Sequence, residues 1–116
     1  MRYDLAKSPV DGQPVKGDVR MHAVIRSYSG AGATELFDRI VAAREEIQRL
    51  IGGVQGFVSY TLVRTDDGGV TVTVCEDKTG TDESLKVARD WVATNASDVG
   101  APAPSVSEGD VDLSFP

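Results

Sequence analysis

The chain has 116 residues, of which 41% are hydrophobic and 26% charged, so it is one globular domain and not a disordered chain. Its net charge of −6 disfavours nucleic acid and anionic membranes as partners. The single cysteine, Cys75, excludes an internal disulfide framework, and the single histidine, His22, excludes every motif that needs two. No apolar run approaches the roughly 20 residues of a membrane span, and no apolar leader opens the sequence, so a cytoplasmic location is expected.

Residues 1–20 are rich in Pro, Gly and charge, have no helical or strand period, and read as an N-terminal arm. The folded domain is expected over 21–116. His22 to Tyr28 has strand propensity and ends at Ser29-Gly30-Ala31-Gly32. Gly30-Ala31-Gly32 followed by Ala33-Thr34-Glu35 resembles the opening of a dinucleotide fingerprint. The third glycine is absent, and a turn with a helix entry explains the segment. Leu36, Ile40, Ala43, Ile47, Leu50, Ile51 and Val54 recur at spacings of three and four, which predicts one amphipathic helix closed by Gly52-Gly53.

Phe57 to Val63 predicts a second strand. The tight-turn signal Asp66-Asp67-Gly68-Gly69 joins it to a strictly alternating third strand, Val70 to Cys75. Thr79 or Thr81 is expected to cap a second helix, whose inward stripe is Leu85, Ala88, Val92 and Ala96. Ala101-Pro102-Ala103-Pro104 is a stiff connector. Val106 to Phe115 predicts a fourth strand, with Val111, Leu113 and Phe115 alternating against polar residues.

The order strand–helix–strand–strand–helix–strand defines an α+β, ferredoxin-like βαββαβ fold: an antiparallel sheet with both helices on one face. The other face is then bare. The apolar members of each strand are expected under the helices: Ala23, Ile25 and Ser27 in the first strand, Val58, Tyr60 and Leu62 with Val70, Val72 and Val74 in the hairpin. That assignment leaves His22, Val24, Arg26 and Tyr28 on the bare face, together with Phe57, Ser59, Thr61, Val63, Thr71, Thr73 and Cys75. A face of this kind is expected to pair with a second copy.

The glycine-led strand Gly56-Phe57-Val58-Ser59-Tyr60-Thr61-Leu62 after a long helix, and the strand ending Val74-Cys75-Glu76-Asp77 before the second helix, resemble antibiotic-biosynthesis-monooxygenase-like (ABM) domains. The resemblance covers about residues 21–116. It implies a homodimeric α+β barrel and a small-molecule-binding protein. Some members of the superfamily are cofactor-independent monooxygenases on aromatic substrates, others degrade haem, and many have no assigned activity. The Glu and Trp usual in the third strand are replaced by Thr73 and Cys75. The alternative is a non-catalytic dimeric accessory or interaction module, whose inter-sheet lumen is filled by Phe57, Tyr28 and Val63.

The candidate ligand contacts are His22, Arg26, Tyr28, Thr73, Cys75 and Trp91. His22 is the weak catalytic candidate, since its imidazole is the one side chain suited to take a phenolic proton near neutrality. Arg26 lies on the same strand face and suits a carboxylate or phenolate. Trp91 either seals the core edge or roofs a cavity. The ligand is expected between sheet and helices or in the inter-sheet lumen. Neither a cofactor nor a metal is expected. Glu108, Asp110 and Asp112 read as a solvated strand face.

Overall fold

The computed structural model describes residues 20–116; most of the expected arm lies outside the described residues. Strand β1 (His22–Ser29) leads into helices α1 (Ala33–Ala42) and α2 (Arg44–Gly52). The hairpin β2 (Phe57–Thr65) and β3 (Gly68–Cys75) follows, then helix α3 (Lys78–Asn95), a 3-10 turn (Ser97–Val99) and β4 (Ser105–Asp110). The strands form one antiparallel sheet in the order β2-β3-β1-β4. This is the ferredoxin-like arrangement predicted from the element order.

The predicted single first helix is two. The apolar spacing runs unbroken through Ala43, but the Ala43 backbone leaves the helical region (φ −102°, ψ 25°). Its N–H is shared between the carbonyls of Arg39 and Ile40, and its own carbonyl starts α2 by accepting from Ile47. The break lets α1 bury Leu36, Phe37 and Ile40, while α2 turns Ile47 and Ile51 onto the same core. Helix α3 starts earlier than expected. Asp77, not Thr79 or Thr81, is its cap, and the Asp77 carboxylate accepts from the Gly80 N–H at 3.4 Å.

The Gly30–Gly32 segment is a turn, as expected. Gly32 has φ +85°, and a Cβ there would strike the backbone of Val99 and Ala101, so the turn sits tight against the connector that follows α3. At Gly69 a side chain would overlap the Phe37 ring. This space lets Phe37 reach the sheet, where its ring meets Tyr28 edge-on at 5.4 Å between centroids.

Two corrections concern the sheet. First, its faces are reversed in β1 and β3. His22, Val24, Arg26 and Tyr28 are buried beneath the helices, with Thr71, Thr73 and Cys75 beside them. Ile25, Val70, Val72 and Val74 are on the bare face. In β2 the assignment of Tyr60 and Leu62 to the helix side holds. A register shift between Phe57 and Ser59 turns Phe57 to that side too and leaves Val58 outward. Second, β4 ends at Asp110. The Val111 N–H still bonds to the Met21 carbonyl at 2.8 Å, but Leu113 and Phe115 are 78% and 81% exposed.

Candidate functional site

The register lines up the helix-facing side chains in rows across the sheet. Val106, Arg26, Thr71 and Leu62 form one row; Glu108, Val24, Thr73 and Tyr60 form the next; Asp110, His22, Cys75 and Phe57 form the third. Apolar helices therefore rest on a sheet surface that carries an arginine, a histidine, two threonines and a cysteine.

Arg26 is the central feature. Its side chain is buried, with the residue only 6% exposed. Nη1 donates to the Tyr28 hydroxyl at 3.0 Å, and the guanidinium carbon lies 5.9 Å from the centroid of the Tyr28 ring. Among the described residues Nε has no partner, and the buried hydroxyls of Thr71 and Thr73 have none either. Among the described residues no carboxylate lies within ion-pair distance of Arg26. A buried cation and buried hydroxyls left in this state cost free energy.

Burial raises the pKa of the neighbouring Tyr60 phenol above its usual value; the nearby Arg26 charge opposes this. Tyr60 thus stays a neutral hydroxyl at physiological pH. Trp91, also buried, donates from Nε1 to Glu46 at 3.2 Å, which fixes the indole between α3 and α2. Arg26, Tyr28, Tyr60 and Trp91 surround a pocket of about 20 Å³, room for a single water.

Two grooves adjoin this pocket. One, of about 580 Å³, runs between α3 and the connector to β4. Arg26 and Tyr28 lie at its foot, Ala88, Val92 and Pro102 in its walls, and Arg89 at its rim. The other, of about 460 Å³, lies between α2 and β2 over Ile47, Phe57 and Tyr60. Both fall in the range of about 300–1,000 Å³ typical of small-molecule sites.

His22 belongs to a different cluster. Four residues along β1 from Arg26, it stands about 13 Å away by strand rise. Its Nδ1 is 2.7 Å from the Thr81 hydroxyl. That hydroxyl already donates to the Lys78 carbonyl, so Nδ1 is the donor to Thr81. Nε2 faces Glu108 at 3.6 Å, and Glu108 in turn pairs with Lys78 at 3.3 Å. Cys75 lies directly opposite His22 on β3, fully buried. Burial pushes its thiol above the usual range, and Asp77 and Glu83 add to the rise. Among the described residues no three His, Cys, Asp or Glu side chains converge on a metal position.

The six candidate residues therefore share one side of the sheet but split into two groups. Arg26, Tyr28 and Trp91 meet at the cavity, with the Thr73 hydroxyl in the adjoining row. His22 and Cys75 lie at the far end under the start of α3. Tyr60 and the prolines of the connector belong to the site and were not among the sequence candidates. The signal for the connector was present: a rigid Pro-x-Pro segment makes a fixed wall as readily as a linker.

No protein-family model matches this chain, and no curated protein matches it in sequence. Solved structures do. A dimeric ferredoxin-like protein from an uncultured marine organism superposes with a TM-score of 0.56 at 10% identity, over 84% of this chain and 97% of that one. A protein assigned as an antibiotic biosynthesis monooxygenase from Chloroflexus aurantiacus gives 0.57 at 16% identity, over 83% and 97%. SnoaB, a cofactor-independent oxygenase from Streptomyces nogalater, gives 0.54 at 17% identity, over 84% and 96%. The chain has an ABM-like fold. Among its described residues no helix is long and apolar enough to cross a membrane.

Proposed function

We propose that this chain is a small-molecule-binding protein of the ABM-like type, that residues 21–116 form its binding domain, and that it works as a homodimer. Its ligand is a planar aromatic compound held beneath the helices. The observation that carries this reading is the 580 Å³ groove, with apolar walls above and Arg26 and Tyr28 at its foot. Apolar walls supply affinity by removing the rings from water, and a few fixed polar groups set orientation.

The dimer rests on the bare sheet face. Ile25, Val63, Val70, Val72 and Val74 share it, and Ile25 and Val63 are 37% and 49% exposed in the single chain. A patch of this kind is a contact surface, and a face-to-face pairing of two sheets covers it.

Cofactor-independent monooxygenation of the bound aromatic is the activity that this fold brings into view, and Arg26 suits the stabilisation of a phenolate. Binding stands ahead of catalysis in this reading because a phenolic substrate must lose a proton. Tyr60 stays neutral, and both nitrogens of His22 are directed at Thr81 and Glu108, far from Arg26.

Trp91 is the only tryptophan and lines the small pocket that shares Arg26, Tyr28, Ala88 and Val92 with the groove, so its fluorescence reports on a ligand bound beside it. Titration with polycyclic phenols, quinones and aromatic acids should give saturable quenching for at least one class. A flat response across the whole panel would favour the non-catalytic interaction module.

A further inference from the structure

We infer that the ligand is an anion, an aromatic carboxylate whose charge is met by Arg26. This inference rests on the binding reading above and narrows it. An arginine this deeply buried normally has a carboxylate partner, because an isolated charge out of water is strongly unfavourable. Here the described residues supply a tyrosine hydroxyl and a tyrosine ring, and neither carries a full negative charge.

The surroundings point the same way. The Tyr28 hydroxyl lines the groove beside Arg26; it accepts from Arg26 and keeps its own proton to give to an anionic oxygen. The second charged group of the groove wall with no ion pair among the described residues is again a cation, Arg89 at the rim. Asp90, the acid beside it, is occupied by Lys86 at 2.9 Å. Three charged residues therefore line the groove: Arg26 and Arg89, cations with no ion pair among the described residues, and Asp90, an acid already paired with Lys86; most of the remaining lining is apolar. A neutral phenol or quinone would leave the Arg26 charge uncompensated; a carboxylate would neutralise it. Guanidinium and carboxylate also match in geometry, which gives charge-assisted bonds in a site shielded from water.

The test compares benzoate, 2-naphthoate and anthracene-2-carboxylate with their primary amides, which keep ring and shape but lose the charge. Trp91 fluorescence is read on the wild type and on the Arg26→Gln, Arg26→Lys and Arg89→Gln variants. At least one acid should bind about tenfold or more tighter than its amide, the size of effect expected for a hydrogen bond to a charged group. Arg26→Gln should abolish that preference, Arg26→Lys should keep part of it, and Arg89→Gln should weaken the acid only slightly and only at low salt. The wild-type ratio of acid to amide needs no variant to fold. Equal binding of acid and amide would overturn the anion assignment and leave the binding reading intact. Binding of neither, at every ring size, would overturn both.

Discussion

The two faces of this sheet reverse the usual distribution of polarity. The side packed under helices carries His22, Arg26, Thr71 and Thr73, while the bare side carries Ile25, Val70, Val72 and Val74. In a domain folding only for its own stability the valines would lie under the helices and the threonines in water. The inversion is consistent with two separate tasks. The covered side keeps polar groups out of bulk water, where their interactions with a ligand are stronger. The bare side keeps apolar groups available for a second copy. On the proposed reading each face meets a different kind of partner, a ligand on the covered side and a second copy on the bare side.

The largest effect should come from breaking the bare face. Val72→Asp sets a carboxylate among Ile25, Thr61 and the flanking valines. At a buried interface an uncompensated charge costs roughly 3–5 kcal/mol. Sedimentation should show a wild-type dimer and a folded 12.3 kDa variant. A wild type already at 12.3 kDa, or a variant that stays dimeric, would contradict the division of the faces.

Overpacking the covered side comes next. Gly69→Ala drives a methyl into the Phe37 ring and the Val63 carbonyl. The expected loss is about 1–3 kcal/mol, read as a lowered urea midpoint with an unchanged slope. Arg26→Met tests the same side with the opposite sign. Removing a buried cation that has no carboxylate partner among the described residues should raise the stability of the ligand-free protein by about 1 kcal/mol and reduce aromatic acid binding. A lower midpoint in Arg26→Met would mean that Arg26 is structural in the empty protein.

The smallest effect sharpens the comparison by lying outside both faces. Asp98 accepts from Arg39 at 2.7 and 2.9 Å, which holds its carboxyl below the ordinary 3.8. A depressed carboxylate pKa contributes stability above the unfolded value, and that contribution is lost as pH falls through the folded one. Arg39→Ala should therefore cost a little stability near neutrality, and progressively less as pH falls through the folded-state pKa of Asp98. The pair is exposed and joins α1 to the turn after α3, away from the bare face, so dimer formation should not change.

The element order was legible because period and punctuation are local properties. β1, the hairpin and α3 follow directly from alternation, the Asp66-Asp67-Gly68-Gly69 turn and the Leu85–Val92 spacing. The phase of β1 and β3 was not legible. Alternation shows that two sets of side chains point to opposite faces, and only the neighbouring elements decide which set is covered. Ranking the sets by hydrophobicity fails where the covered side holds polar groups and the bare side apolar ones. The break at Ala43 was hidden because the apolar spacing continues through it. The cap at Asp77 was missed because Thr79 and Thr81, which follow it, are also favoured N-cap residues. Within the site, Arg26, Tyr28 and Trp91 could be named from the sequence. The separation of His22 from them could not, because it depends on Thr81 and Glu108 arriving from distant parts of the chain.

The division of the two faces is tested most directly by Trp91 fluorescence of the monomeric Val72→Asp variant, titrated with an aromatic ligand that the wild type binds. The groove, Arg26 and Trp91 all lie within one chain, on the side of the sheet away from Val72. The account predicts that the monomer binds as the dimer does, within about threefold, a difference under 1 kcal/mol. Loss of binding in a folded monomer would contradict it and would put the ligand between the two sheets.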